Sequence, residues 1–103
     1  MRYISLTHVR GTASSLPIDE LAAALTSPGR FLGIHYMQPA DAFDCVEVIC
    51  ATATEGTAVE RACAAIRTTN KLPIVLSKPI EGFLFNRLQH ALLHEVRSRC
   101  DCR

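Results

Sequence analysis

The sequence alternates short apolar runs, typical of strands, with longer amphipathic runs, typical of helices, and this order constrains its fold more than any other feature. Strands are predicted over residues 3–9, 31–37, 45–49 and 73–77. Helices are predicted over residues 17–26, 56–69 and 82–98. A chain in which strands and helices alternate in this way predicts α/β architecture.

Local signals mark where the predicted helices begin and end. Pro17 stands in the first turn of the first helix, and Asp19 and Glu20 follow it where carboxylates complement the helix dipole. The segment Ser-Pro-Gly at residues 27–29 ends that helix, and Thr54 is expected to cap the second. An apolar stripe runs along each of the other two helices, formed by Val59, Ala62, Cys63 and Ile66 in the second and by Phe85, Leu88, Leu92 and Val96 in the third. The stripes predict helices with one apolar side.

Length and composition place the chain among ordinary globular domains. It has 103 residues, of which 49% are hydrophobic and 20% charged, enough for one modest core in a single domain. The net charge of +1 comes from interspersed signs, which argues against a basic nucleic-acid surface. No apolar run approaches the roughly eighteen residues that a membrane span needs. The composition therefore predicts a protein that binds neither nucleic acid nor a membrane.

The cysteine content and the N-terminus bear on the cellular compartment. Five cysteines are present, an odd number that argues against a complete disulfide framework. Arg2 and Arg10 stand among Ser and Thr before the first acid, Asp19, which leaves a mitochondrial presequence as an alternative. Residues 3–9 read better as part of the fold, and no secretory signal is recognisable. We therefore expect reduced thiols and a cytoplasmic protein.

A histidine and a carboxylate stand within two of the predicted strands. Glu47 lies between Val46 and Val48, where burial is costly unless the carboxylate is paired. A loop of about eight residues would bring the two strands side by side and make His35 that partner. A histidine with a buried carboxylate partner is a simple device for moving a proton near neutral pH. The alternatives are a structural, hydrogen-bonded His35 and a Glu47 that lies on an exposed edge strand and contacts only water.

Other candidate residues are less specific. Ser14 and Ser15 fit a turn and a helix cap, and Asn86 fits a capping or solvent-facing position at the start of the last helix. No GxGxxG motif follows a strand and no P-loop motif is present, so these residues carry no phosphate-binding fingerprint. No serine or cysteine has a recognisable nucleophile motif around it. On pattern alone, none of these residues defines a reaction.

The last helix and the C-terminus contain four residues of types that bind zinc, namely His90, His94, Cys100 and Cys102. The two histidines lie four residues apart and therefore share one face of the helix. The spacing of the four matches no common structural zinc pattern, and the tail would have to fold back onto the helix. A zinc-binding module is the least favoured interpretation, and no metal site is predicted.

Read in order, several segments resemble the L-3-hydroxyacyl-CoA dehydrogenase family. They are SSLPIDELAAAL from Ser14, PGRFLGIHYMQP from Pro28, VEVI from Val46, KLPIVLSKPIEGFLFNR from Lys71, and HALLHE in the final helix. Each segment is weak by itself, but the ordered set is fairly specific and covers most of the chain. The resemblance makes the chain a candidate oxidoreductase.

The resemblance implies a reaction and roles for four residues. The family oxidises an L-3-hydroxyacyl thioester to the 3-keto product, with NAD as the cofactor that accepts the hydride. In this sequence the general base that takes the hydroxyl proton would be His35, and Glu47 would orient and polarise it. Ser14 and Asn86 would hold the substrate oxygen. The four residues would then form one site for alcohol oxidation.

The resemblance also implies a domain organisation. Residues 1–80 correspond to the C-terminal part of the family's NAD-binding domain, and residues 81–103 to the first helix of the helical domain that follows it. The expected fold is a partial Rossmann-like dinucleotide-binding domain with short strands and about three helices, without the N-terminal βαβ unit. We expect this chain alone not to bind NAD tightly, and a partner chain to supply the nucleotide-binding half. The alternative is a non-enzymatic interaction or assembly module whose sheet is completed by a partner chain.

Overall fold

The computed structural model describes residues 17–37, 39–78, 80 and 82–100. In chain order the helices and strands are α1 (Ile18–Ala23), β1 (Leu32–Tyr36), β2 (Cys45–Cys50), α2 (Gly56–Arg67), β3 (Leu72–Leu76) and α3 (Phe85–Arg99), with a 3-10 turn at Pro28–Arg30. The α/β prediction is confirmed, while the strand predicted over residues 3–9 lies outside the described residues. In the part of the chain that the structure describes, no helix is long and apolar enough to cross a membrane.

The three predicted helices differ from the observed ones at their ends, and the second stops at Arg67 instead of residue 69. The first helix stops at Ala23 and is shorter than the predicted 17–26. The third begins at Phe85 instead of residue 82, because Gly82 and Phe83 have φ angles of 79° and 50°. Such left-handed backbone cannot belong to a right-handed helix. The chain therefore turns sharply just before α3, a feature that becomes important at the candidate site.

The predicted role of Thr54 as the cap of the second helix is wrong. The N-cap residue is Glu55, and no side chain caps that end of α2. The Thr54 hydroxyl instead donates a hydrogen bond to the Phe31 carbonyl at 2.7 Å and accepts one from the Ala51 N–H at 2.8 Å. The hydroxyl is satisfied by tying the end of β2 to the segment before β1, so it is not free to cap the helix.

The three strands form one sheet in the order β1-β2-β3. The segment of residues 37–44 connects β1 to β2, which run antiparallel, as the short predicted loop requires. β2 and β3 run parallel, and α2 makes the crossover between them. In this arrangement β2 is the central strand, and His35 and Glu47 are direct register partners.

Side chains alternate between the two faces of the sheet and form two clusters. On one face lie Leu32, Ile34, Val46 and Val48, which pack against the buried α2 residues Ala58, Ala62, Cys63 and Ile66. On the other face Ile49 packs with Ile18, Ala22, Phe31, Ala51 and Phe83. The predicted α2 stripe is therefore confirmed, with Val59 partly buried at its margin. α1 lies so close to β1 that a Cβ on Gly33 would be 3.1 Å from the end of the Ile18 side chain.

The apolar side of α3 meets solvent in the described structure. The helix has no buried residue, and the side chains of its predicted stripe at Leu88, Leu92 and Val96 are 53%, 69% and 55% exposed. Only the first turn, with Phe85 and Asn86 half-buried, lies against the body of the domain. The body thus ends at the start of α3, and the rest of the helix extends from it.

Candidate active site

His35 and Glu47 are paired across the two antiparallel strands. The His35 Nδ1 and Glu47 Oε2 atoms lie 2.6 Å apart, within hydrogen-bonding distance. Glu47 is fully buried and His35 is 6% exposed. The predicted contact is confirmed, and the alternative that placed Glu47 on an exposed edge strand is wrong, because β2 has a hydrogen-bonded neighbour on each side.

The second oxygen of Glu47 contacts the beginning of α3. Its Oε1 atom accepts hydrogen bonds from the backbone N–H groups of Leu84 and Phe85, each at 2.8 Å. The first N–H groups of any helix lack partners within the helix, and α3 has neither a side-chain cap from its N-cap residue nor an acid in its first turn. A carboxylate from the sheet therefore meets this need and also complements the helix dipole.

These contacts determine which nitrogen of His35 carries the proton. A carboxylate oxygen accepts, so the hydrogen bond to Oε2 places a proton on Nδ1. In the neutral imidazole with this proton on Nδ1, the Nε2 atom carries the lone pair that can take up a proton. The pair has the arrangement that a histidine general base requires, in which a carboxylate holds the ring from behind.

The aromatic ring of Phe83 packs beside His35. The sequence did not predict that Phe83 belongs to the candidate site. Its ring centroid lies 5.5 Å from that of the imidazole, with the two planes inclined by 57°. The residue is 3% exposed and belongs to the core cluster with Phe31 and Ile18, although its φ of 50° is unfavourable for a large side chain. Packing therefore holds Phe83 in a strained conformation next to the candidate base.

The two remaining predicted site residues differ in what the structure shows of them. Asn86 is half-buried in the first turn of α3, one residue beyond the Phe85 N–H that donates to Glu47. Its position is thus linked through the backbone to the His35–Glu47 pair. Ser14 lies outside the described residues, so its role stays a prediction.

Among the described residues, the two helices that follow strands offer no place for the pyrophosphate of NAD. In Rossmann-type folds this group sits on free N–H groups at the start of a helix that follows a strand, behind a Gly-rich turn. α2 follows β2, but its N-cap residue is Glu55, whose negative charge at that end disfavours an anionic group. α3 follows β3, but its first N–H groups already donate to Glu47. The described residues therefore do not fit the pyrophosphate.

Potential metal ligands do not converge in the described structure. His90 and His94 lie on the extending part of α3 and Cys100 is exposed at its end, while Cys102 falls outside the described residues. Among residues 17–37, 39–78, 80 and 82–100, no group of three or more His, Cys, Asp or Glu side chains is placed to hold a metal ion.

The cysteines that the structure describes are free thiols. They are Cys45, Cys50, Cys63 and Cys100, of which Cys50 and Cys63 are buried. Burial raises the pKa of the Cys50 thiol, and the neighbouring Cys63 raises this pKa further. Cys50 is therefore held in the unreactive protonated form, as expected of a structural thiol.

Comparison with solved structures defines the class of protein. The (S)-3-hydroxybutyryl-CoA dehydrogenase from Ralstonia eutropha superposes with a TM-score of 0.79 and 29% sequence identity, over 90% of this chain and 31% of that chain. Its similarity, together with the sheet and the His35–Glu47 pair, makes this a Rossmann-like dehydrogenase domain. The predicted Rossmann-like fold is thereby confirmed.

Sequence comparison identifies the family. Residues 7–79 match the family described as 3-hydroxyacyl-CoA dehydrogenase, NAD binding domain. The chain belongs to this family, and the expectation that NAD is the family's cofactor is confirmed. Its relatives include a 5-formyl-3-hydroxy-2-methylpyridine 4-carboxylate 5-dehydrogenase from Mesorhizobium japonicum, 35% identical over 87% of this chain, and a fatty acid oxidation complex subunit alpha from Shewanella amazonensis, 37% identical over 81%. The matches span only 29% and 12% of these two relatives.

Proposed function

We propose that this chain supplies the proton-transfer side of a 3-hydroxyacyl-CoA dehydrogenase site, with His35 as the general base. The observation that carries the proposal is the 2.6 Å hydrogen bond between His35 Nδ1 and the fully buried Glu47. Membership of the family supports the substrate class, an L-3-hydroxyacyl thioester.

In the proposed reaction, Nε2 of His35 accepts the proton of the 3-hydroxyl group while the alcohol carbon is oxidised to the ketone. The Glu47 carboxylate keeps Nδ1 protonated and stabilises the imidazolium that forms, as the acidic member of a catalytic triad does. Ser14 and Asn86 are proposed to hold the substrate oxygen near Nε2. Phe83 limits the space around the ring and keeps bulk water from one side of it.

The hydride must go to an acceptor, which in this family is NAD. Because the described helices do not fit its pyrophosphate, we propose that a Gly-rich βαβ unit outside these 103 residues holds the dinucleotide. That unit would be part of a longer form of the chain or of a partner chain. Positioning accounts for much of the rate of such a reaction, so the pair alone is expected to be inactive.

A complementation assay tests this function. The purified chain is titrated with NAD and assayed for NADH formation from L-3-hydroxybutyryl-CoA, alone and with a GxGxxG-containing βαβ unit supplied as a separate chain. We expect NAD binding and turnover only in the mixture, with turnover lost in His35→Gln. Equal turnover by wild type and His35→Gln in the mixture would remove His35 as the base. Tight NAD binding by the chain alone would remove the need for a second unit.

An assembly module without enzymatic activity is the second candidate. The observations that favour it are the exposed apolar residues of β3 and α3, with Leu72 58%, Leu92 69% and Val96 55% exposed. Exposed apolar surface of this kind is typical of interaction sites. In that case a chain supplying further strands would bind and stabilise the protein, and His35→Gln would leave this binding unchanged.

A further inference from the structure

We propose that Glu47 is a positioning residue for both sides of the candidate site, through one oxygen for His35 and through the other for the first turn of α3. The inference rests on the proposed function, since it explains how the base and the substrate-binding Asn86 are held in one geometry. It assigns Glu47 a structural partner, the start of α3, that the His35 contact alone does not reveal.

The first argument is the hydrogen-bonding need of α3. Its N-cap residue, Leu84, has no side chain that can accept a hydrogen bond, and its first turn contains no acid. The N–H groups of Leu84 and Phe85 would be costly to bury without partners. Glu47 Oε1 accepts from both at 2.8 Å. The helix therefore depends on a residue of the sheet for the cap that its own sequence lacks.

The second argument is the shape of the chain before α3. Gly82 and Phe83 both have positive φ angles, and the buried Phe83 ring packs beside His35 as a member of the core cluster. This turn aims two successive N–H groups, at Leu84 and Phe85, towards the same carboxylate oxygen. Strain at Phe83 is tolerated because the packing of its ring and the Glu47 hydrogen bonds hold the turn together.

The third argument is that both oxygens of the carboxylate are engaged in different tasks. Oε2 bonds His35 and Oε1 bonds α3, so neither oxygen is available to exchange roles without loss of the other contact. Asn86 follows Phe85 directly within the helix. A movement of Glu47 would therefore displace the imidazole and Asn86 together, which couples the two sides of the site.

A side-chain amide cannot replace the carboxylate on both sides. In Glu47→Gln, the single oxygen can accept from the α3 N–H groups while the NH2 group donates to His35 Nδ1, which forces the histidine proton onto Nε2. Alternatively, the oxygen accepts from His35 and the NH2 group faces the two N–H donors, which then lose their acceptor. Both contacts are preserved only when both terminal atoms of the side chain can accept a hydrogen bond, as Oε1 and Oε2 of Glu47 do.

The test uses NMR of the full chain without substrate or cofactor, so its outcome is independent of the proposed reaction. Amide hydrogen exchange at Leu84 and Phe85 reports on the α3 contact, and the 15N shifts of His35 report on the tautomer. Amides of α2, such as that of Ala62, measure any general loss of stability. The variants are Glu47→Ala, Glu47→Gln and His35→Gln.

In Glu47→Ala, we expect exchange at Leu84 and Phe85 to accelerate at least tenfold relative to the α2 amides, and the side-chain signals of Asn86 to shift. In His35→Gln, both amides should stay within threefold of wild type, because Oε1 remains in place. In Glu47→Gln, one of the two reporters, tautomer or amide exchange, should change. Unchanged amide protection in Glu47→Ala, equal acceleration in His35→Gln, or two unchanged reporters in Glu47→Gln would each overturn the proposal.

If Glu47→Ala does not fold, Glu47→Gln and His35→Gln still decide the matter, because each preserves side-chain volume and predicts a different reporter pattern. Failure of the complementation assay, with these exchange results as expected, would reject the dehydrogenase function and leave the role of Glu47 intact. The opposite combination would reject the role of Glu47 in α3 and leave His35 as the base.

Discussion

The two faces of the sheet are formed by alternate residues of the same strands and are stabilised by different interactions. On the α2 face, Leu32 and Val48 lie in a wholly apolar cluster. On the opposite face, His35 and Glu47 are buried beside Ile49 and Phe83. The first face is held by removal of apolar surface from water, which is non-directional. On the second face, buried polar atoms need hydrogen-bond partners, and hydrogen bonds are directional.

The difference predicts how the stability of the protein responds to substitutions on each face. An apolar cluster loses stability in proportion to the volume removed and the cavity left behind. A polar pair loses stability for a different reason when one partner is removed, because the other partner is left buried and unsatisfied. The polar face is also the one that contains candidate chemistry, so substitutions that separate the two faces will test the assignment.

The largest effect is expected for Glu47→Leu. The substitution leaves His35 Nδ1 and the two N–H groups of Leu84 and Phe85 without an acceptor, and we expect the free energy of unfolding to fall by about 3–5 kcal/mol. Urea denaturation followed by circular dichroism measures it. The double variant His35→Phe/Glu47→Leu should recover about 1–2 kcal/mol, because one unsatisfied donor is removed. A loss below about 1 kcal/mol in Glu47→Leu would mean that the two faces do not differ as described.

On the apolar face, Leu32→Ala should lower the free energy of unfolding by about 2–5 kcal/mol through lost burial and a cavity. The matched control is Leu72→Ala in β3, where the side chain is 58% exposed and the expected loss is below about 1 kcal/mol. The histidine tautomer should be the same in both variants and in wild type. A changed tautomer in Leu32→Ala would show that the faces are not independent.

A smaller effect is expected where α1 is tied to the end of β2. The Asp19 carboxylate accepts hydrogen bonds from the Thr52 N–H at 2.7 Å and from its hydroxyl at 3.0 Å, both in exposed positions. Because solvent can replace these contacts, Asp19→Ala should cost about 1 kcal/mol in chemical denaturation. Glu20→Ala, in the same exposed turn of α1, is the control and should be close to neutral. Equal costs for the two would contradict a specific role for Asp19.

The smallest effect concerns Cys50 and depends on pH. Its pKa is raised in the folded state, so between the ordinary thiol pKa of about 8.5 and the raised value only the unfolded chain loses the proton. The stabilising contribution is therefore complete below the ordinary pKa and is lost as pH rises through the folded value. Denaturation series above pH 8 should show a steeper decline for wild type than for Cys50→Ala, and parallel curves would contradict the assignment.

Thiol labelling provides a second measurement of the same burial. Under native conditions, iodoacetamide should modify the exposed Cys100 well before the buried Cys50 and Cys63. Peptide mapping by mass spectrometry separates the sites. Rapid modification of Cys50 would show that its environment opens more readily than the structure indicates.

The helices and strands were largely predictable because each has a local cause. Apolar alternation predicted β1, a short β-branched run predicted β2, and the apolar stripe predicted α2 and its buried side. The short loop predicted the contact of His35 with Glu47, because a short connection favours antiparallel neighbours. The error at Thr54 arose because the hydroxyl has a tertiary partner, the Phe31 carbonyl, that no local pattern reveals.

The position of Phe83 and the contact of Glu47 with α3 could not be predicted locally. A phenylalanine with positive φ contradicts backbone preference, and only burial of its ring against His35 explains it. One signal was present in the sequence, since the last helix has no acid in its first turn and Glu47 is a carboxylate without a local partner. Linking the two required knowledge that the start of α3 lies against Glu47 of β2.

By itself the sequence determined the alternation of strands and helices, the membership of a dehydrogenase family and the identity of the His35–Glu47 pair. These follow from residue order and short-range spacing, which act along the chain. The tertiary structure alone decided that Glu47 contacts two elements, that Phe83 borders His35 and that, in the described structure, the side of α3 beyond its first turn is exposed. Those features depend on which groups meet in space. Hydrogen bonds between groups 37 and 38 residues apart leave no periodic pattern in a sequence.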